Sequence, residues 1–218
     1  MSGIKEFVAL FDLDGVVFDT ESQYSNFWDK QGELYLHKDN FCAEIKGQTL
    51  TQIYTKYFHD NIELQKTITI ALYDFEHNMV YDYIPGAYHF LCELSDNHVR
   101  TGIVTSSDEA KMANVYRVHP EVKQLFNVIV TANMITKSKP NPECFLKGME
   151  LLHSQPSRAI VFEDSFHGLQ AGRTSGAFVV GLATTNSREA ISDKADYVID
   201  NFQELNVPIL EEQLNNRL

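Results

Sequence analysis

The sequence has few of the features that mark secreted or membrane proteins. Three of its 218 residues are cysteines, and Cys42, Cys92 and Cys144 have neither the number nor the spacing of a disulfide framework or zinc site. No apolar run approaches the ~20 residues that span a bilayer. Acidic residues interrupt the apolar stretch of the N-terminus too early for a secretory signal. We therefore expect reduced, packing cysteines and a cytoplasmic protein without a membrane partner.

Positive charge is also scarce. Lysine and arginine number 18 against 30 aspartates and glutamates, which gives a formal net charge of -12, and there is no basic run. Because nucleic-acid binding depends on basic side chains that displace counterions, we expect no nucleic-acid partner. An anionic substrate would need positive charge supplied locally, by a metal ion, a single lysine and backbone N–H groups. We take a monomer as the default expectation.

Short, β-branched apolar runs recur along the chain, and each is followed by turn residues and a helical period. The predicted strands are 7–11, 102–104, 127–130, 159–162 and 178–182, with 197–199 as a sixth candidate. Continuous apolar strands that alternate with helices predict a parallel sheet covered by helices on both faces. The fold class is therefore α/β.

The interval between the first two strands breaks this rhythm, because it contains amphipathic helical stretches and no convincing strand. The first stretch carries the apolar residues Tyr24, Phe27, Trp28 and Leu34. A longer one covers 64–79, and Thr49-x-x-Gln52 resembles a capping box that opens a third. We predict an α/β core formed by 1–18 and 86–218, with an all-helical domain, 19–85, inserted above the carboxyl ends of the strands.

Two acidic pairs follow predicted strands. Asp12 and Asp14 come after the first strand, and Glu163 and Asp164 end the fourth. A surface turn is the plain alternative for the first pair, since aspartate often occurs in turns. However, like charges this close are costly without a cation, and hard cations such as Mg²⁺ prefer carboxylate oxygens. The two pairs together predict a metal and nucleophile site.

Two further segments add groups that bind phosphate. Thr105, Ser106 and Ser107 follow the second strand and precede a helix, so their hydroxyls and N–H groups predict a phosphate cradle. Lys139, fixed before a proline, could neutralise both a nucleophilic carboxylate and a phosphate. Each segment alone has an ordinary explanation, a helix N-cap or a loop lysine. Their order and strand context together are specific.

At this point the sequence resembles the haloacid dehalogenase superfamily over essentially its whole length. The four motifs of that superfamily are matched by FDLDGVVFDTE, IVTSS, SKPNPE and VFEDSFHG. The resemblance implies a Rossmann-like core with a helical cap. It also implies that Asp12 attacks phosphorus as a covalent nucleophile. Asp14 would protonate the leaving oxygen and later activate water.

The same resemblance implies a cofactor and its ligands. Mg²⁺ would be held by Asp12, by the backbone carbonyl of Asp14 and by Asp164 and Glu163, and which of the last two binds directly stays open. Thr105 would bind the transferring phosphoryl group. Lys139 would steady both that group and the nucleophile.

The choice among activities rests on the proton donor, Asp14, and on residues of the inserted helical segment. A halide leaving group needs no acid, so Asp14 favours an oxygen leaving group. Residues 45–49 resemble the specificity loop of the β-phosphoglucomutase subgroup, which makes Lys46 and Gly47 substrate-binding candidates beside Ser106 of the phosphate cradle. That subgroup has an arginine and a histidine where this chain has Leu50 and Tyr24.

We therefore favour a phosphatase that acts on a small phosphorylated metabolite, with a sugar phosphate as one option. A β-phosphoglucomutase-like phosphomutase is the alternative. The second alternative is a catalytically retired protein that still binds a phosphate ligand.

Overall fold

The structure, a computed structural model, describes residues 7–217. Residues 1–6, which belong to the predicted core and to the segment judged not to be a secretory signal, lie outside the described residues. Six parallel strands form a sheet in the order β3-β2-β1-β4-β5-β6. The strands are β1 Val8–Phe11, β2 Arg100–Val104, β3 Val128–Val130, β4 Ala159–Glu163, β5 Phe178–Leu182 and β6 Tyr197–Ile199. All the predicted strands are confirmed, with boundaries that differ by at most two residues.

The strand order fixes where a site can form. β1 pairs with β2 on one side and with β4 on the other, so the chain reverses its direction of travel across the sheet next to β1. In open α/β sheets the crevice at such a switch point lies beyond the carboxyl ends of the strands. The residues that follow β1 and β4 therefore meet at one edge, where Asp12 N donates to Phe162 O at 3.0 Å.

Helices cover both faces of the sheet. Between β1 and β2 lie α1 Glu21–Leu36, α2 Phe41–Ile45, α3 Leu50–Tyr57, α4 Ile62–Asn78 and α5 Ala87–Asp96. The remaining helices are α6 Glu109–Val118, α7 Val122–Leu125, α8 Glu143–Leu151, α9 Phe166–Ser175, α10 Arg188–Ile191 and α11 Val207–Arg217. Among the described residues, no helix combines the length and apolar character needed to cross a membrane.

The core has two halves, one on each face of the sheet. Val8 and Leu10 of β1 belong to the apolar cluster that includes residues of α8 and α9. Ala9 and Phe11 point into the other cluster, where the rings of Phe11 and Phe162 stack with centroids 4.4 Å apart. Alternate residues of a strand face opposite sides, so a strand buried on both faces must be apolar throughout. The structure therefore confirms an α/β, Rossmann-like sheet with helices on both faces.

The helices α1 to α4 form in the interval where helices were expected. Thr49 and Gln52 form both hydrogen bonds of a capping box at the start of α3. Tyr24 and Trp28 are buried as expected, but Leu34 is 59% exposed, so its assignment to the apolar face was wrong. Residue 34 lies almost two turns beyond Phe27, which is itself only half-buried, and is far from a whole number of turns beyond the buried Trp28. The division into a core and an inserted domain at residues 19–85 stays a prediction.

Candidate active site

All the sequence-predicted site residues line one cavity of about 490 Å³ at the carboxyl edge of the sheet. The first group is an ion-pair network at its base. Lys139 Nζ lies 2.6 Å from Asp12 Oδ1 and 2.6 Å from Glu163 Oε1, and it also donates to the carbonyl of Val104 at 3.2 Å. The lysine side chain is 2% exposed, so its charge is committed to this network. The ammonium thus joins the ends of β1 and β4.

Glu163 has both carboxylate oxygens engaged. Oε2 accepts hydrogen bonds from Asp164 N at 2.9 Å and from Ser165 N at 3.0 Å, while Oε1 faces Lys139. Gly168 of α9 gives this side chain its room, because a Cβ there would lie 1.8 Å from Glu163 Oε1. Glu163 therefore acts within the structure as an acceptor that orders the turn after β4.

Asp164 is different, because its Oδ2 is buried and has no hydrogen-bond partner among the described residues. An unpaired buried carboxylate oxygen is costly, so a native structure that keeps one needs an explanation. Gly15 approaches this oxygen closely. It has a φ of 75°, and a Cβ there would lie 2.3 Å from Asp164 Oδ2. The absence of a side chain at Gly15 thus gives this carboxylate its room.

The three acidic residues Asp12, Glu163 and Asp164 could hold a metal ion, since one ligand atom from each lies within 4.8 Å of the others. Burial, followed by the charges of Glu163 and Asp14, raises the pKa of Asp12 to about 7 although Lys139 opposes the shift. Burial and the charges of Glu21, Glu163 and Asp12 also raise the pKa of Asp164. A hard cation with oxygen ligands fits this donor set, because it would compensate carboxylates that are otherwise held together at a cost.

Thr105 and the residues after it form the opposite wall. The Thr105 side chain is buried, and its Oγ1 accepts a hydrogen bond from Ser107 N at 3.0 Å. Since this bond uses a lone pair, the hydroxyl proton of Thr105 remains available to a ligand. Ser106 Oγ instead donates to the carbonyl of Gly47 at 3.1 Å, which connects this wall to the loop before α3.

Asp14 is turned away from the metal-ligand group. Its carboxylate oxygens both accept hydrogen bonds from Lys111 Nζ, and they also accept from Thr20 Oγ1 at 2.5 Å and from Ser107 Oγ at 3.3 Å. Lys111 is fully buried in α6. This lysine was not among the sequence-predicted site residues. The available signal was its position beside Met112 and Val115, which places a charged residue on the buried face of an amphipathic helix.

The cavity continues between the inserted helices. Lys46 Nζ pairs with Glu21 Oε2 at 2.7 Å, and the carbonyl of Lys46 contacts His167 Nδ1 at 2.8 Å. Tyr24 does more than pack in this region, because its hydroxyl donates to Glu76 Oε1 at 2.7 Å. Glu76 was also missed from the sequence. As a buried acid on α4, at a position between the apolar residues Phe75 and Met79, it had no motif to identify it.

Comparisons with known proteins indicate which proteins this chain resembles. The family model described as haloacid dehalogenase-like hydrolase matches residues 9–182. The validoxylamine A 7'-phosphate phosphatase of Streptomyces hygroscopicus subsp. limoneus is 28% identical over 210 residues, which cover 92% of this chain and 96% of that protein.

Two solved structures share the fold. A family IA, variant 3 hydrolase of the same superfamily from Entamoeba histolytica superposes with a TM-score of 0.82 at 19% identity, covering 96% of this chain and 100% of the other. The β-phosphoglucomutase of Clostridium difficile gives a TM-score of 0.77 at 24% identity, covering 97% of this chain and 98% of the other. The family model spans most of the chain, and the chain therefore belongs to the haloacid dehalogenase-like hydrolases and is a hydrolytic enzyme.

Proposed function

We propose that this phosphoric monoester hydrolase is a Mg²⁺-dependent phosphatase that cleaves a small phosphorylated metabolite through a phosphoaspartate at Asp12. The observation that carries the proposal is the ammonium of Lys139, 2.6 Å from Asp12, together with the metal-ligand group that Asp12 forms with Asp164, whose Oδ2 has no partner among the described residues. Asp12, Lys139 and Asp164 together supply a nucleophile, a fixed positive charge and an unpaired carboxylate oxygen for a metal ion. Phosphoryl transfer depends mainly on positioning and on charge stabilisation of this kind.

The chain has residues suited to hold the metal. We assign Asp12, Asp164 and the backbone carbonyl of Asp14 as direct ligands. Glu163 would hold Lys139 and the turn after β4, because both of its oxygens are already used. When bound, Mg²⁺ supplies a Lewis acid that polarises the phosphoryl oxygens and offsets their charge.

The first half-reaction uses the free oxygen of Asp12, which accepts no hydrogen bond from a described residue. This oxygen forms a bond to phosphorus while the ester P–O bond breaks. Lys139 holds the other Asp12 oxygen in place, so the nucleophile keeps its orientation. Thr105 donates its hydroxyl proton to a phosphoryl oxygen. Asp14 enters this step as the carboxylic acid and gives its proton to the leaving oxygen, which departs as an alcohol.

The second half-reaction returns the enzyme to its starting state. Asp14, now a carboxylate, removes a proton from water as the water oxygen attacks phosphorus. The bond between Asp12 and phosphorus breaks, and inorganic phosphate leaves. Thr20, Ser107 and Lys111 position the Asp14 side chain for both steps through the hydrogen bonds described above.

The phosphomutase alternative lacks support in the cavity wall. A mutase must hold a doubly phosphorylated intermediate, which calls for a strong anion contact such as an arginine. Among the described residues that line the cavity none is an arginine, and Leu50 occupies the corresponding loop position. The name of the Streptomyces relative, a phosphatase for validoxylamine A 7'-phosphate, also favours hydrolysis of a small phosphate ester. A retired binding protein is disfavoured because the residues of every catalytic role are present.

Hydrolysis of p-nitrophenyl phosphate tests the proposal. We expect turnover with added Mg²⁺, loss of turnover in excess chelator, and recovery when Mg²⁺ is restored. Asp12→Asn should abolish turnover, while Asp19→Asn, the same change at an exposed aspartate of the same segment, should not. Wild-type activity in Asp12→Asn, or full activity in excess chelator, would show that the mechanism is wrong.

A further inference from the structure

The part of the cavity that faces away from the phosphoryl site is lined by aromatic residues and carboxylates. We call it the cap pocket and define it by Tyr24, Trp28, Tyr54, Leu72, Tyr73 and Glu76. These side chains come from α1, α3 and α4, the helices inserted between β1 and β2. In the mechanism above, the alcohol that leaves with its oxygen must occupy this space, since the phosphoryl group fills the space between Asp12 and Thr105.

Glu76 is a buried acid whose hydrogen-bonding capacity the described residues use only in part. Its side chain is 6% exposed, and Oε1 accepts the hydroxyl proton of Tyr24 at 2.7 Å. No described residue donates a hydrogen bond to its other oxygen, Oε2, although Glu76 lines the cavity. A second carboxylate, Asp108, lies on the rim, where it accepts the hydroxyl proton of Tyr73 at 3.1 Å.

The cations near the cap pocket are already paired. Lys46 forms its ion pair with Glu21 at 2.7 Å, and Lys139 is held by Asp12 and Glu163. Lys111 lies 4.4 Å from the centre of the Tyr24 ring, but its ammonium contacts both oxygens of Asp14. A ligand in the cap pocket therefore meets carboxylates and aromatic rings, and no described cation without a carboxylate partner.

We propose that the cap pocket binds a cationic amine, and that the substrate is the phosphate monoester of a hydroxylated alcohol that carries this amine and no second anion. The inference rests on the proposed phosphatase function and adds the substrate class to it. A carboxylate with a free oxygen beside aromatic faces is the combination that recognises ammonium groups. A second phosphate there would lose its hydration without gaining a counter-charge.

The proposal is tested with three sugar phosphates as inhibitors, and p-nitrophenyl phosphate is the reporter substrate. Glucosamine 6-phosphate carries an ammonium group on its ring, and glucose 6-phosphate has an uncharged hydroxyl at that position. Glucose 1,6-bisphosphate carries a second phosphate. Each is measured as an inhibitor of aryl phosphate hydrolysis by the full chain with Mg²⁺. We expect glucosamine 6-phosphate to bind about tenfold tighter than glucose 6-phosphate, and the bisphosphate to bind weakest.

Two variants test whether Glu76 causes the preference for glucosamine 6-phosphate over glucose 6-phosphate. Glu76→Gln should bring the ratio of the two inhibition constants close to one. Glu63→Gln, the same change on the exposed side of α4, should keep the wild-type ratio.

Equal binding of the amine and its neutral counterpart, tightest binding of the bisphosphate, or a preference that survives Glu76→Gln would each overturn the inference. In those cases the proposed function would stand, because the reporter substrate is still hydrolysed. If the reporter itself is not hydrolysed with Mg²⁺, the proposed function fails and the inference fails with it.

Discussion

The ammonium of Lys111 contacts both carboxylate oxygens of Asp14, although the two residues are 97 positions apart in the chain. The same ammonium lies 4.4 Å from the centre of the Tyr24 ring. Lys111 belongs to α6 and Tyr24 to α1, so one buried charge connects the general acid to a helix of the cap pocket. We regard Lys111 as a positioning residue, because it acts on the substrate through Asp14.

Replacing Lys111 tests this role. In Lys111→Met the carboxylate of Asp14 keeps Thr20 and Ser107 but loses its ion pair, so it should lie less often in the productive position. We expect kcat to fall by roughly 10²-fold with a smaller change in KM, since misplacement of a catalytic group has effects of this size.

The matched control is Lys123→Met, because Lys123 also lies over a tyrosine ring, 4.5 Å from the centre of Tyr116, but is exposed. The readout that separates positioning from general structure is the pH profile of kcat, which should change in Lys111→Met and not in Lys123→Met. If the pH profile of kcat is unchanged and activity falls only in proportion to the loss of folded protein, Lys111 has a structural role alone.

Asp14→Asn should separate the two half-reactions. A p-nitrophenolate leaving group needs little protonation, so the first step should slow less than the second, in which the same carboxylate must activate water. The phosphoenzyme should therefore accumulate during hydrolysis of the aryl phosphate, and rapid quenching should trap it on Asp12. Mg²⁺ binding should persist, because the proposed metal contact of Asp14 is its backbone carbonyl. Unchanged steady-state turnover without a trapped intermediate would make Asp14 a bystander.

Glu163, the last residue of β4, and Asp164, which follows it, should respond differently to removal of their charge. Asp164→Asn removes an unpaired buried carboxylate, so the metal-free protein should be at least as stable as wild type, while stabilisation by Mg²⁺ should be lost. Glu163→Gln breaks a buried ion pair with Lys139 and should lower the free energy of unfolding by about 3 kcal/mol. Stabilisation by Mg²⁺ should survive in Glu163→Gln. Thermal unfolding with and without Mg²⁺ measures both effects, and the reverse pattern would exchange the proposed roles.

Glu76 should make stability depend on pH. Burial raises the pKa of Glu76 from 4.5 to about 7, although Lys111 and the Tyr24 hydroxyl oppose the shift. Because this pKa lies above the value in the unfolded chain, the folded state favours the protonated form. The stabilisation is complete below the unfolded pKa and is lost as the pH rises through about 7. This pH-dependent contribution of Glu76 to the free energy of unfolding is at most roughly 3 kcal/mol.

Glu76→Gln should remove this dependence. Relative to wild type, the variant should gain stability between about pH 5 and about pH 8, as measured by urea unfolding at both values. Glu63→Gln provides the control, because its carboxylate is exposed. A difference between Glu76→Gln and wild type that is constant across this range would contradict the prediction.

The sequence by itself determined the sheet and the edge at which the site forms. The apolar runs of β1 and β4 predicted buried strands, and the carboxyl ends of parallel strands meet at one edge, so Asp12 and Asp164 were expected together. The structure brings these two into one group with Glu163, and it places Thr105 and Lys139 in the same cavity. Short-range patterns sufficed here because each acid directly follows its strand.

The tertiary structure alone decided which charges are paired and which are left over. Lys111 meets Asp14 across 97 positions, and Glu76 meets Tyr24 across 52. Both contacts depend on how α4 and α6 pack over the sheet edge, and helical periodicity states which face of a helix is buried but not what that face will meet. For the same reason the unpartnered oxygens of Asp164 and Glu76 could not be foreseen, since an unpaired group is defined by every neighbour it lacks.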